Sequence, residues 1–164
     1  MLLDRMGTGV SRCYGTGGRD LHEEVGAITA LDAIARLAAD PDTRVILCVS
    51  KPPAPEVAER VLAALAATGK PAAACLLGAA DLPSPPGVEV RATLDDAALA
   101  AARLAGARPE VPGPPKVDWV VPGLVRGLFS GGTLCSEAAA ILAERLGRVE
   151  SNAPAGRAVR LAPG

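Results

Sequence analysis

Apolar residues in this chain fall into two kinds of run, and the two alternate. Leu21, Val25, Ile28, Leu31, Ile34 and Ala38 recur at helical spacing. That spacing predicts a helix that begins after Asp20 and stops at Asp40-Pro41, since the residue before a proline resists the α region. Arg44 to Val49 is instead a continuous apolar run, which suits a strand covered on both faces. A second helix is expected from Pro55, with Val57, Val61, Leu62 and Leu65 on its buried side and Gly69 and Pro71 as its stop. Pro71 to Leu77 reads as another apolar strand and Val88 to Arg91 as a short edge strand. Leu94 to Leu104 reads as a third helix, with Thr93 as cap and Asp96 at the capping-box position. Helices and strands in alternation predict an α/β fold, with three layers built on a parallel sheet.

The rest of the chain is less periodic. Met1 to Met6 is short and amphipathic, and Gly9 to Tyr14 is expected to form a first short strand. Asp81 to Gly87 is a proline-rich loop. Residues 107–116 contain Pro109, Pro112, Pro114 and Pro115, a semi-rigid linker signature that places a boundary near residue 110. Asp118 to Val121 and Leu124 to Phe129 read as extended, and Leu134 to Leu146 as a helix. Residues 148–164 hold few apolar positions and read as a flexible tail. The expected organisation is an α/β domain over 1–106, a linker over 107–116, the start of a second domain over 117–147, and the tail.

Candidate chemistry sits in the turns. Gly15, Thr16, Gly17, Gly18 and Arg19 precede Asp20, with Glu23 three residues later. A glycine turn entering a helix leaves N–H groups free beside a partial positive charge, which suits an anion. The same pattern also fits a plain tight turn. It is not the dinucleotide fingerprint, because Asp20 stands where the third glycine would be. Ser50 and Lys51 follow the first apolar strand, and ligands of open α/β sheets bind beyond the carboxyl ends of strands. Lys51 is thus a candidate fixed cation, or an ordinary solvated loop residue. Ser130, Gly131, Gly132 and Thr133 repeat the turn-into-helix pattern.

Composition narrows the picture. The 164 residues are 49% hydrophobic, but Tyr14, Trp119 and Phe129 are the only aromatics. The core must therefore be built from Ala, Val, Leu and Ile. A net charge of −1 with scattered Lys and Arg argues against a nucleic-acid or membrane surface. Cys13, Cys48, Cys75 and Cys135 form no Cys-x-x-Cys pair, so no metal site is expected. Free thiols suit a reducing compartment, which points to the cytoplasm. No signal peptide and no membrane span is expected from the pattern.

GTGGRDLHEEVG, DPDTRVILCVSKPP and RGLFSGGTLCSEA, taken together over about residues 5–152, resemble the FdrA family, whose members look like succinyl-CoA synthetase α subunits. The resemblance implies a flavodoxin-like ligase domain in a longer protein, with a CoA- or nucleotide-binding domain before it and a second ligase-like domain after it. CoA or a nucleotide is then the implied cofactor of the full-length protein. The implied partners are other subunits of an acyl- or carbamoyl-transferring complex and a small anionic ligand. Synthetases of this type relay phosphate through a histidine after the third strand, yet Gly78 to Gly87 contains none. His22 is the only histidine, and it reads as a surface residue of the first helix. Ser50-Lys51 stands where a supporting glutamate belongs. The implied function is acyl-CoA formation of the succinate–CoA ligase type, or carbamoyl transfer as in an oxamate carbamoyltransferase complex. The alternative is a non-catalytic binding or assembly module of such a complex. The resemblance also suggests that residues 124–146 fold back and fill the vacant first-strand position of the sheet that holds residues 44–77.

Overall fold

A computed structural model describes residues 2–79, 81–110, 113, 116 and 123–162. Its elements are α1 (Leu2–Arg5), α2 (Ile28–Ala39), β1 (Ile46–Ser50), α3 (Pro55–Ala67), β2 (Ala72–Leu76), β3 (Val88–Val90), α4 (Leu94–Leu104), α5 (Gly132–Leu146), β4 (Glu150–Ser151) and β5 (Val159–Arg160). Val117 to Pro122 and four residues of the proline-rich stretch lie outside the described residues, so the extended reading of Asp118 to Val121 does too.

β1, β2 and β3 form a parallel sheet in that order, with Ile46 opposite Ala72 and Ala72 opposite Val88. All five residues of β2 are buried. Strand alternation sends Ala72, Ala74 and Leu76 into one core with Ile34, Val57, Val61, Leu62 and Leu65 of α2 and α3. Ala73, Cys75 and Leu77 face the other way, against Ala97, Ala100 and Ala101 of α4. The sheet is therefore covered on both faces, as the apolar runs of β1 and β2 require. Small side chains at the contact let α4 approach closely. Its N-terminus is capped as its residues suggest, with Asp96 N–H donating to Thr93 Oγ1 at 3.1 Å.

Four expectations are corrected. The first long helix starts at Ile28, not after Asp20, and residues 18–27 form turns. Gly26 and Ala27 both take positive φ, 69° and 65°, and two successive left-handed residues end any helix running from Leu21. Leu21 still reaches the core, while Ile28 is exposed.

Gly9 to Tyr14 forms no strand. It runs as a strap tied by Arg12 Nε to Asp40 Oδ2 at 2.8 Å. A hydrogen bond from the Thr43 hydroxyl, with Arg12 adding to it and burial opposing, holds the Asp40 carboxyl below its usual range.

Leu124 to Phe129 carries no strand and lies exposed, so this chain does not fill the position beside β1 with its own segment. Residues 148–162 are not a structureless tail. β4 and β5 pair in parallel, and Ser136 Oγ of α5 donates to Ala153 O at 3.1 Å. Small residues suffice here, because Ser151 and Ala155 bury against an α5 face of Ser136, Ala139 and Ala143.

Candidate functional site

Two of the helix N-termini are occupied by acidic side chains of the chain itself. The Asp20 carboxylate accepts from Thr29 N–H at 2.9 Å and Ala30 N–H at 2.8 Å, at the second and third positions of α2. It is itself buried. The anion expected at the first glycine turn is thus supplied by the chain, and Gly15 to Arg19 do not lead directly into the helix. At α4 the Glu137 carboxylate of α5 accepts from Leu94 N–H at 2.6 Å, beside the Thr93 cap.

α5 differs. Its cap is Gly131, with no side-chain cap and no acid in the first turn. The first bond is Cys135 N–H to Gly131 O at 3.1 Å, so the N–H groups of Gly132, Thr133 and Leu134 have no partner among the described residues. Lys51 lies against this end. A methyl built on Gly132 would stand 3.0 Å from Lys51 Nζ, and one built on Gly18 would stand 3.7 Å from it. A cation beside a helix N-terminus is unfavourable unless an anion joins them. Among the described residues no carboxylate forms an ion pair with Lys51.

The structure therefore brings Gly18, Lys51 and Gly132 together at the carboxyl end of β1. Thr16 and Ser50 line the nearby groove along β1, but the Ser50 hydroxyl is turned onto Lys51 O at 2.8 Å. Gly15, Gly17 and Gly131 face open space. The side chains of Arg19, Ser130 and Thr133 make no hydrogen bond among the described residues. His22 is exposed in the turn that precedes α2.

Sequence reading missed the parts of Asp20, Glu137 and Gly78. Gly78 follows β2 at φ 77°, and a methyl on it would stand 2.9 Å from Gly156 N. This contact seats the α5–β4–β5 unit on the sheet end. No local spacing signals it, because the partners are far apart in sequence.

Burial pushes Cys48 and Cys75 up to about 11, which leaves both protonated and poorly nucleophilic. Among the described residues, no three His, Cys, Asp or Glu side chains gather as a metal site. The groove beside β1 has a volume of about 510 Å³ and is bounded by Leu3, the strap, Ile34, Leu37, Val45 and Leu47. Among the described residues no helix is long and apolar enough to cross a membrane.

No protein-family model matches the chain. It is similar to an Escherichia coli (strain K12) protein named "Uncharacterized protein YahF", with 40% identity over 162 residues that cover 92% of this chain and 32% of the relative. The chain thus spans about a third of that relative's length.

Proposed function

We propose that this chain is the sheet-bearing part of a larger FdrA-like protein, of flavodoxin-like, succinyl-CoA-synthetase type, and that it seats a small phosphate- or carboxylate-bearing group during acyl or carbamoyl transfer. The observation that carries the reading is Lys51, held between Gly18 and the uncapped N-terminus of α5. An ammonium and free helix N–H groups together make a seat for one oxyanion. Arg19, Ser130 and Thr133 lie within two residues of Gly18 or Gly132 in sequence and belong to the same proposal. With Cys48 and Cys75 both protonated and His22 exposed, transfer would proceed by polarising a carbonyl at the seat rather than through an enzyme-bound phosphate. Other subunits or further domains would supply the acceptor and any CoA or nucleotide. The four free thiols suit the cytoplasm as the compartment.

A second reading, a non-catalytic assembly module, is favoured by one observation: the outer edge of β1 is open among the described residues. Thermal unfolding with and without carbamoyl phosphate, CoA or ATP–magnesium separates the two. A ligand that binds the native state raises Tm by mass action. The transfer reading expects carbamoyl phosphate to raise Tm more than sulfate does at equal ionic strength. A cooperative melt moved by none of the three ligands overturns it and leaves the assembly module.

A further inference from the structure

The outer edge of β1 is an unmet pairing surface. Ile46 N–H donates to Pro71 O at 3.1 Å and Ser50 O accepts from Leu77 N–H at 3.1 Å, so the even positions bond to β2. In a parallel ladder the main chains of Val45, Leu47 and Val49 then point outward. Among the described residues β1 pairs with β2 alone. From Val45 to Ser50 there is no charge and no proline, the usual devices that blunt an edge. The groove of about 510 Å³ runs along this edge.

The same chain carries a largely apolar segment, interrupted by Arg126, that nothing covers among the described residues. Leu124, Val125, Leu128 and Phe129 are 88, 73, 101 and 46% exposed. The segment Leu124–Phe129 contains no proline, and it is about as long as β1. Its own copy leaves it unpaired, with Phe129 folded back towards Gly127.

We propose that the open edge of β1 is an interface with a second copy of this chain, filled by that copy's Leu124–Phe129. The exchange is reciprocal, so each copy donates one segment and receives one, and the contact closes as a two-fold dimer. The area is sufficient. Each large apolar side chain removes about 100 Å² from water, so four of them and the wall they cover, counted for both copies, come to about 1,600 Å². That lies within the range of stable specific interfaces. The proposal is independent of the anion seat at Lys51.

The test uses the whole chain and two substitutions at exposed side chains, Val49→Lys on the edge and Leu128→Asp on the segment. Far-UV circular dichroism and the melt check that each variant folds. Light scattering during size-exclusion chromatography, over a range of concentrations, reads the mass. The wild type is expected as a dimer, and each variant alone should dissociate at concentrations at least tenfold higher than the wild type needs. The two variants mixed should pair more tightly than either alone but less tightly than the wild type, because the mixed dimer keeps one intact exchange and carries both substitutions in the other. A monomeric wild type overturns the proposal. So does a Leu128→Asp chain that dimerises normally, which would mean edge-to-edge pairing of β1 with itself. A Val49→Lys chain that dimerises normally, or a mixture that pairs no more tightly than the separate variants, overturns it equally.

Discussion

The Asp20 carboxylate and the Ala30 amide are ten residues apart in sequence and 2.8 Å apart in space. With Thr29 N–H at 2.9 Å, this one buried side chain satisfies two orphan donors of α2. Among the described residues nothing else caps that helix, whose preceding residue Ala27 offers no side-chain oxygen. Asp20→Ala should therefore cost about 1.5–3 kcal/mol, the worth of charge-assisted bonds to buried amides. Asp20→Asn, which keeps one acceptor, should cost less. Urea unfolding of both variants checks the order.

Gly78 and Gly87 form a matched pair. Both have positive φ, 77° and 78°, but only Gly78 faces another backbone, that of Gly156. Each change to alanine carries the left-handed penalty of about 1–2 kcal/mol. Gly78→Ala should lose more, because Gly156 must move. It should also expose residues 148–160 to limited proteolysis, where Gly87→Ala does not. Equal losses and equal cleavage would mean that the α5–β4–β5 unit does not seat through this contact.

Lys51 is the cation of the proposed anion seat. Lys51→Ala should weaken carbamoyl phosphate binding about tenfold to hundredfold, from about 1.5–3 kcal/mol for a hydrogen bond to a charged group. Arg19→Ala, at an exposed side chain beside Gly18, is expected to weaken it in the same direction. Calorimetric titration of the wild type and both variants reads the change, and unchanged affinity in both removes these residues from the site.

The thiols give a pH dependence with a definite sign. Cys48 and Cys75 titrate near 11 when folded, above the ordinary value of 9.0, because burial disfavours the thiolate. The unfolded chain therefore releases these protons first as pH rises. Stability from the two groups is full below about pH 9 and is lost as pH climbs towards 11. At pH 8 a thiol reagent should label exposed Cys13 quickly in the native protein, half-buried Cys48 more slowly, and buried Cys75 only on unfolding. Mass spectrometry of the labelled peptides reads the order.

Local signals carried much of the fold. Pro55, Gly69 and Thr93 mark helix ends within a few residues of where they act, and α3 and α4 run between those marks. The apolar runs that became β1 and β2 needed no partner to be recognised, since a strand covered on both faces is apolar throughout, and Val88 to Arg91 read as a short edge strand from its alternation. What the residue order could not decide lies at longer range. Asp20 looks like the start of a helix by its spacing to Glu23, yet its carboxylate reaches past Ala27 to cap one that begins at Ile28. Residues 148–162 look too polar to fold, yet their small side chains fit the small face of α5. Whether Lys51 would meet Gly132 as well as Gly18 depended on where α5 docks, and that docking rests on Glu137 at Leu94 and Gly156 at Gly78. Periodicity along the chain sets which face of an element is apolar. Contacts between residues far apart in sequence set where the elements stop and which ends meet, and only the folded chain brings those residues together.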